Sequence, residues 1–489
     1  MEHLNHLIKD IEALAPEFTA LSDSIWDEPE LRWEEHAAVA KQIALAENYG
    51  FSISREVAGI PTAFSASKGS GGPVIAFLGE YDALAELSQD GGNTERCPDP
   101  GNHSGNGQGC GHHLLGAGSL LAAVATARYL EKNGLPGRVR YYGCPAEEAA
   151  AGKSFMVKAG AFAGVDAAIT WHPFASTLWK QNLMLAYAQV YFHFKGVAAH
   201  AGAAPHMGRS ALDAVELLNV GTNFLREHMP DTARIHYAIT DAGGLSPNVV
   251  QPRASVYYII RATDGQQMRD LYERVLKVAK GAALMTETEL TVEFDGACSE
   301  ILPNEALEQV LYQTTKALGG VPFDAMDQSA AARFAAGLDH REVRNAKTSI
   351  GWGPNEEKAL HDEVPDQSPL PRVQLTGSSD VGDVSWSVPT VQIMAASFAL
   401  GTPLHTWQVV AQGKLPAAHK GMIYAAKAMS GTAVSLFADQ GLIADAKAEF
   451  DTIIAETPYI CPIPDDVMAP PVRRARINEL QDELNMQSI

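Results

Sequence analysis

The chain has 489 residues, too many for one ordinary hydrophobic core, so two or more domains are expected. Hydrophobic residues make up 46% and charged residues 19%, and the net charge is −21, which excludes the basic face that a nucleic-acid-binding protein needs. Five cysteines, an odd and sparse set, do not form a disulfide framework and point to reduced thiols and a cytoplasmic setting.

Residues 1–50 carry a helical stripe of Leu4, Leu7, Ile8, Ile11 and Leu14. The first residues mix acids with this stripe and lack the order of a signal peptide. Pro73–Leu78 is a strand candidate closed by Gly79-Glu80-Tyr81-Asp82. The pattern then predicts a helix over 114–132, a strand over 138–142, a helix over 152–161 and a strand over 166–170. The apolar run from Leu114 to Ala127 is shorter than the ~20 residues of a membrane span and is interrupted by Gly116, Gly118, Ser119 and Thr126, so a buried helix is expected and no membrane partner. This β-α-β-α order predicts an α/β fold, a mostly parallel mixed sheet flanked by helices.

The period changes at Ala186. A strand over 186–194, a helix over 210–229, strands over 234–240 and 249–261, a helix over 266–285 and a strand over 289–294 give the split β-α-β-β-α-β plan of a ferredoxin-like α+β domain. That unit is expected as an insertion, dividing the chain into a catalytic part over 1–185, a lid or dimerisation domain over 186–297 and a second catalytic part over 298–489. Residues 304–319 return to helix, 322–375 look like a polar surface insertion, 391–396 a strand and 421–439 a helix. The last 30 residues mix prolines with a short charged helix.

The chemistry-bearing residues fall where strands end or helices begin. Cys110 and His112 in Gly109-Cys-Gly-His-His113 are two apart, and in an extended loop such side chains point the same way. The helix start favours a Cys110 thiolate. A buried Cys beside a capping His is the ordinary alternative. Glu147 and Glu148 in Gly143-Cys-Pro-Ala-Glu-Glu148 would, if extended, face opposite ways, one towards a metal and one towards an attacking water. A solvated helix start is the competing reading of that pair. His172 and His405 each follow a strand, and a hydrogen-bonded core histidine is the commoner case for either alone. In open α/β sheets ligands bind beyond the carboxyl ends of strands, so Asp82, Cys110, His112, Glu147, Glu148 and His172 can converge.

Together, Gly-Cys-Gly-His, Pro-Ala-Glu-Glu and Gly401-Thr-Pro-Leu-His405 make the chain resemble the M20 metallopeptidase/amidohydrolase family, in its aminoacylase-like branch, over nearly its whole length. The resemblance implies two divalent metal ions per subunit, zinc or manganese, on Cys110, His112, Glu148, His172 and His405, with Cys110 bridging and Glu147 as general base. Gly196-Val-Ala-Ala-His200 resembles the family's lid motif, whose His reaches substrate, often in the partner subunit's site. Asn248 and Arg261 match positions that clamp a substrate carboxylate, a task suited to a planar guanidinium. A turn Asn and a surface-strand Arg are their plainer readings. Asp82, in the Asp-Ala-Leu motif, would orient a ligand. The branch frequently has Asp where this chain has His113, which questions the support behind His112.

The implied reaction is hydrolysis of the amide of an N-acyl or N-aroyl amino acid, with p-aminobenzoyl-glutamate as the first expected substrate. A dipeptidase, an indole-acyl-amino-acid hydrolase and a non-catalytic ligand-binding relative are the alternatives. A homodimer through the lid, or a heteromer with a homologous A subunit, is the expected assembly.

Overall fold

The computed structural model describes residues 2–353, 355–366 and 372–469. Its strands are β1 (Ser52–Arg55), β2 (Phe64–Ser70), β3 (Val74–Gly79), β4 (Gly137–Gly143), β5 (Ala167–Phe174), β6 (Ala186–Lys195), β7 (Arg234–Asp241), β8 (Arg253–Ala262), β9 (Glu289–Cys298) and β10 (Thr390–Ala396). They form two sheets. The larger has six strands in the order β1-β2-β4-β3-β5-β10. Strands β4, β3, β5 and β10 run parallel, and β2 and β1 add an antiparallel edge.

One face of this sheet is covered by the helices Glu2–Asp27, His112–Asn133 and Pro416–Ala438, which meet in a core of Leu, Ile, Val, Ala and aromatic side chains. The helix His112–Asn133 is buried almost all round as far as Leu130, in keeping with its predominantly small and apolar sequence over that stretch. Close packing needs its small residues. A β-carbon on Gly116 would lie 2.5 Å from the Glu80 carbonyl oxygen. The opposite face packs Leu78, Tyr142, Phe155, Met156 and Val384 into a second core.

The smaller sheet is antiparallel, in the order β7-β8-β6-β9, with the helices Ala211–Leu225 and Gly265–Thr286 on one face. This is the ferredoxin-like arrangement of the split β-α-β-β-α-β plan. It is formed from one continuous stretch inserted between β5 and β10, so the fold is the mixed, mostly parallel α/β sheet with an α+β insertion that the sequence pattern implies.

Several details differ from the pattern reading. Strand β8 starts at Arg253 rather than near 249, because Gln251-Pro252 precedes it and the proline has no amide hydrogen to donate to a ladder. Residues 322–375 are not a featureless insertion. Ala325–Ala335 and His340–Ser349 are helices, started by Asp324 and Asp339 caps. Ala331, Phe334 and Leu360 anchor this region in a small cluster with Ala399, Ala411 and Ala417. Few of their positions are buried, Asp327, Ala331 and Phe334 in the first and none in the second, so no apolar stripe marks them. Periodicity likewise does not separate the helix Gln440–Glu456 from its neighbour. The short charged helix expected near the end falls largely in residues 470–489, outside those described. Among the described residues, no helix is long and apolar enough to cross a membrane.

Candidate metal centre

Parallel strands place their carboxyl ends on one edge, and the loops leaving β3, β4, β5 and β10 all emerge there. The loops after β3, β4 and β10 carry Glu80 and Asp82, Glu147 and Glu148, and His405, whereas His172 lies within the end of β5 itself rather than after the strand. The helix His112–Asn133 brings its start to the same edge. Strand pairing sets His172 opposite Met394 of β10, and the His405 amide donates to the Gly109 carbonyl at 2.8 Å.

Cys110 and His112 share the site for a different reason than an extended loop. Gly111 between them is left-handed, with φ 82°, and His112 is the first residue of the helix. A β-carbon on Gly111 would lie 2.8 Å from the Pro173 ring, so glycine is needed on both counts. Glu147 and Glu148 are not extended either. Ala146 is left-handed, with φ 56°, and the two acids open a single helical turn, Glu147–Ala150. The turn sends them to different neighbours.

Three donor groups result, each with its ligand atoms within 4.8 Å of one another: Cys110, His112 and His172; Cys110, Glu148 and His405; and Glu80, His112 and Glu147. Cys110 Sγ lies 3.5 Å from His172 Nε2 and belongs to both of the first two groups. His405 Nε2 lies 3.2 Å from Glu148 Oε1, and His112 Nε2 lies 3.2 Å from Glu80 Oε2. Yet Glu148 Oε1, His112 Nε2 and Glu80 Oε2 are buried without any hydrogen-bond partner. Buried polar atoms that face one another without hydrogen bonding need another partner, and a cation fits.

The surrounding contacts orient these atoms. His112 Nδ1 donates to Asp82 Oδ1 at 2.8 Å, and Asp82 Oδ2 accepts from the Glu148 amide, also at 2.8 Å. Asp82 therefore leaves His112 Nε2 as the nitrogen turned to the donor groups and ties the ring to the Glu148 backbone. His172 Nδ1 donates to the Pro173 carbonyl at 2.8 Å, freeing its Nε2. His113 points elsewhere. Its Nε2 donates to the Gly413 carbonyl at 3.0 Å, and burial drops it to about 3, so it is a neutral core residue. The support behind His112 comes from Asp82, which resolves the question raised by His113.

Charge follows the geometry. Burial and the Glu148 charge push the Cys110 thiol up, but His172 and His112 outweigh both and bring it down to about 5. Cys110 is thus a thiolate at neutral pH. Burial, followed by the charges of Glu80, Glu148 and Asp380, raises Glu147 well above the usual carboxylate range. A carboxyl so placed is suited to hold and release a proton.

Pattern reading misses four residues around this cluster. Glu80 Oε1 pairs with Lys153 Nζ at 2.7 Å, and Lys153 also meets Asp380 Oδ1 at 2.5 Å, all three buried. Burial and then the Glu80 charge push Asp380 up to about 6, against the pull of Lys153. Glu35 accepts from the Ala146 amide at 2.8 Å. Glu80 has a signal, since it stands at a strand end two residues from Asp82. Lys153, Asp380 and Glu35 have none, because single charged residues ordinarily read as solvated.

The lid residues are not members of the three donor groups. His200 and Asn248 are exposed, and His200 Nδ1 accepts from the Gly202 and Ala203 amides at 3.2 and 3.1 Å. Arg261 is half-buried on β8, lies over the Tyr187 ring at 5.7 Å and donates to Ser378 Oγ at 2.8 Å. Among the described contacts, none joins His200 or Asn248 to the donor groups within one chain. Trp386 donates to the Glu300 carbonyl, and Trp352 rests edge-on against His361.

Comparison with known proteins agrees with this geometry. Residues 186–287 match the peptidase dimerisation domain of the M20 family. Over 97% of this chain and 100% of the relative, the sequence is 46% identical to the B subunit of the p-aminobenzoyl-glutamate hydrolase of Escherichia coli strain K12. The chain belongs to the M20 family. A mouse Xaa-Arg dipeptidase is 28% identical, with 91% of each chain covered. A Bacillus subtilis crystal structure described as a dinuclear metal binding peptidase from the M20 family superposes with a TM-score of 0.51 at 17% identity, over 85% of this chain and 98% of that one, and shares the fold. As an M20 hydrolase, the protein has candidate ligands for a metal centre and carries the family's dimerisation domain.

Proposed function

We propose that this M20 protein is a dinuclear amidohydrolase that cleaves the amide of an N-acyl or N-aroyl amino acid, with p-aminobenzoyl-glutamate, split to p-aminobenzoate and glutamate, as its first substrate. The observation that carries the reading is the convergence of Cys110, His112, Glu148, His172 and His405 around Glu147 at the ends of parallel strands. The named activity of the 46%-identical relative supports the substrate class.

Cys110, His112, Glu148, His172 and His405 would hold two divalent ions, zinc or manganese, a donor set of thiolate, imidazole and carboxylate that suits either. When bound, such a pair supplies Lewis acidity to the scissile carbonyl and lowers the pKa of water. Glu147 takes the proton of the attacking water on a carboxylate oxygen and delivers it to the leaving amine nitrogen. Its Oε2 lies 4.0 Å from His112 Nε2, within the group that it forms with Glu80 and His112. His200 stabilises the developing oxyanion. Being exposed and outside its own chain's donor groups, it acts across a lid-mediated dimer or a heteromer with a homologous A subunit. Arg261 and Asn248 hold the free carboxylate of the substrate. On this reading residues 1–185 and 298–489 form the catalytic domain and 186–297 the lid.

A substrate panel that varies acyl and amino-acid halves separately tests the proposal. The wild type should cleave p-aminobenzoyl-glutamate after metal loading, and Glu147→Gln should lose roughly 10²–10⁴-fold in kcat. Equal absence of activity in both proteins across the panel would instead favour a non-catalytic binder. The mouse dipeptidase, alike over nine-tenths of both chains, supports one second reading. Cleavage restricted to dipeptides with a free amine would favour it.

A further inference from the structure

Glu35 is a buried carboxyl side chain outside the donor groups, in the connector between the helices Glu2–Asp27 and His36–Asn48. Its Oε1 accepts the Ala146 amide at 2.8 Å, and its Oε2 is buried without a hydrogen-bond partner. Ala146 is fully buried and immediately precedes Glu147. It adopts φ 56° and ψ 42°, a left-handed conformation that a residue with a β-carbon disfavours. The turn that presents Glu147 and Glu148 is therefore held from outside, and Glu35 holds it.

The same connector grips the other carboxylate loop. The Ala83 amide donates to the Glu30 carbonyl at 2.8 Å, and Leu31 forms a parallel bridge with Ala83, next to Asp82. One segment of chain thus touches the loop of Asp82 and the loop of Glu147 and Glu148, neither of which is close to it in sequence.

We propose that Glu35 is a positioning residue: by accepting the Ala146 amide it fixes Glu147 and Glu148 in register with Asp82 and the donor groups. The inference rests on the reading of Glu148 as a metal ligand and Glu147 as the base. Glu35 itself touches neither substrate nor metal. Without its oxygen the Ala146 amide is buried and unpaired. The left-handed turn then relaxes, and both acids rotate together away from positions where small displacements matter.

The test compares Glu35→Ala, Glu35→Asp and Glu35→Gln with wild type. Metal-stripped protein is titrated with zinc against a chromogenic chelator, thermal midpoints are recorded, and kcat and KM on p-aminobenzoyl-glutamate are measured at saturating zinc. Ala removes the acceptor, Asp withdraws it by one methylene, and Gln keeps an acceptor oxygen at full length. Zinc affinity should fall about tenfold or more in the Ala and Asp variants, the scale of outer contacts to metal ligands. Their kcat should fall about tenfold or more with KM within about threefold, and Gln should restore both. A folded Glu35→Ala protein with wild-type zinc affinity and kcat would overturn the proposal. So would a Gln variant as impaired as Ala. If the Ala variant does not fold, equal behaviour of Asp and Gln is the overturning result. If wild type proves inactive on the substrate, the amidohydrolase reading fails while the zinc titration still decides the role of Glu35.

Discussion

Lys153→Met places the sharpest load on the structure beneath the donor groups. Lys153 is fully buried, 2.7 Å from Glu80 and 2.5 Å from Asp380, and its own amide also donates to Asp380 at 2.7 Å. Methionine keeps the length of the side chain and removes the charge, leaving two buried carboxylates with no cation between them. Removing one partner of a buried pair typically costs about 3–5 kcal/mol, and two orphaned partners place this site towards the upper end. Part of the loss is recovered by protonation, because Asp380 already sits at about 6 and rises further without Lys153. The assay is urea unfolding of metal-stripped protein at pH 7, followed by tryptophan fluorescence, for Lys153→Met, Asp380→Asn and the double variant. The single Lys variant should lose about 3–5 kcal/mol. The double variant should be more stable than it by about 1–2 kcal/mol, because one of the orphaned charges has gone with its partner. An unchanged midpoint in Lys153→Met, or a double variant equal to the sum of the singles, would refute the reasoning.

Other expectations follow from the same geometry. Asp82→Asn weakens the hold on His112 Nδ1, so zinc affinity should fall about 10–100-fold by chelator competition while the fold persists. Arg261→Ala should raise KM for substrates with a free carboxylate but not for their carboxamide analogues, compared in steady-state kinetics. Burial, then the Asp82 charge, pushes Glu35 from its ordinary 4.5 up to about 8. The fold therefore prefers its protonated form. That stabilisation is complete below about pH 4.5 and is lost as pH rises through about 8, at ~1.4 kcal/mol per unit. Glu35→Gln removes this titration, so its stability relative to wild type should rise between pH 5 and pH 8 in chemical unfolding, by an amount on the order of a few kcal/mol.

Much of the architecture is legible because it is written in period. The switch to alternating polarity at Ala186 marks the inserted sheet, and the strand-end placement of Glu147, His172 and His405 predicts one shared edge. What period cannot show is backbone handedness. Gly111 and Ala146 turn Cys110 with His112, and Glu147 with Glu148, into the site by left-handed residues rather than by the extended geometry expected from spacing. Charges buried by tertiary packing are also invisible. Lys153 lies in an ordinary-looking helix, and only the fold brings Asp380 and Glu80 to it. The capped helices within 322–375 escape notice because few of their positions are buried.

The central claim is that Cys110 is a ligand shared by two bound cations. Cobalt substitution measures it directly, since a cysteine thiolate bound to cobalt(II) gives an intense near-ultraviolet charge-transfer band. Metal-stripped protein should take up two cobalt ions per chain, with the band growing through both equivalents and vanishing in Cys110→Ser. Uptake of two ions with no such band, or the same band in wild type and Cys110→Ser, would contradict the account.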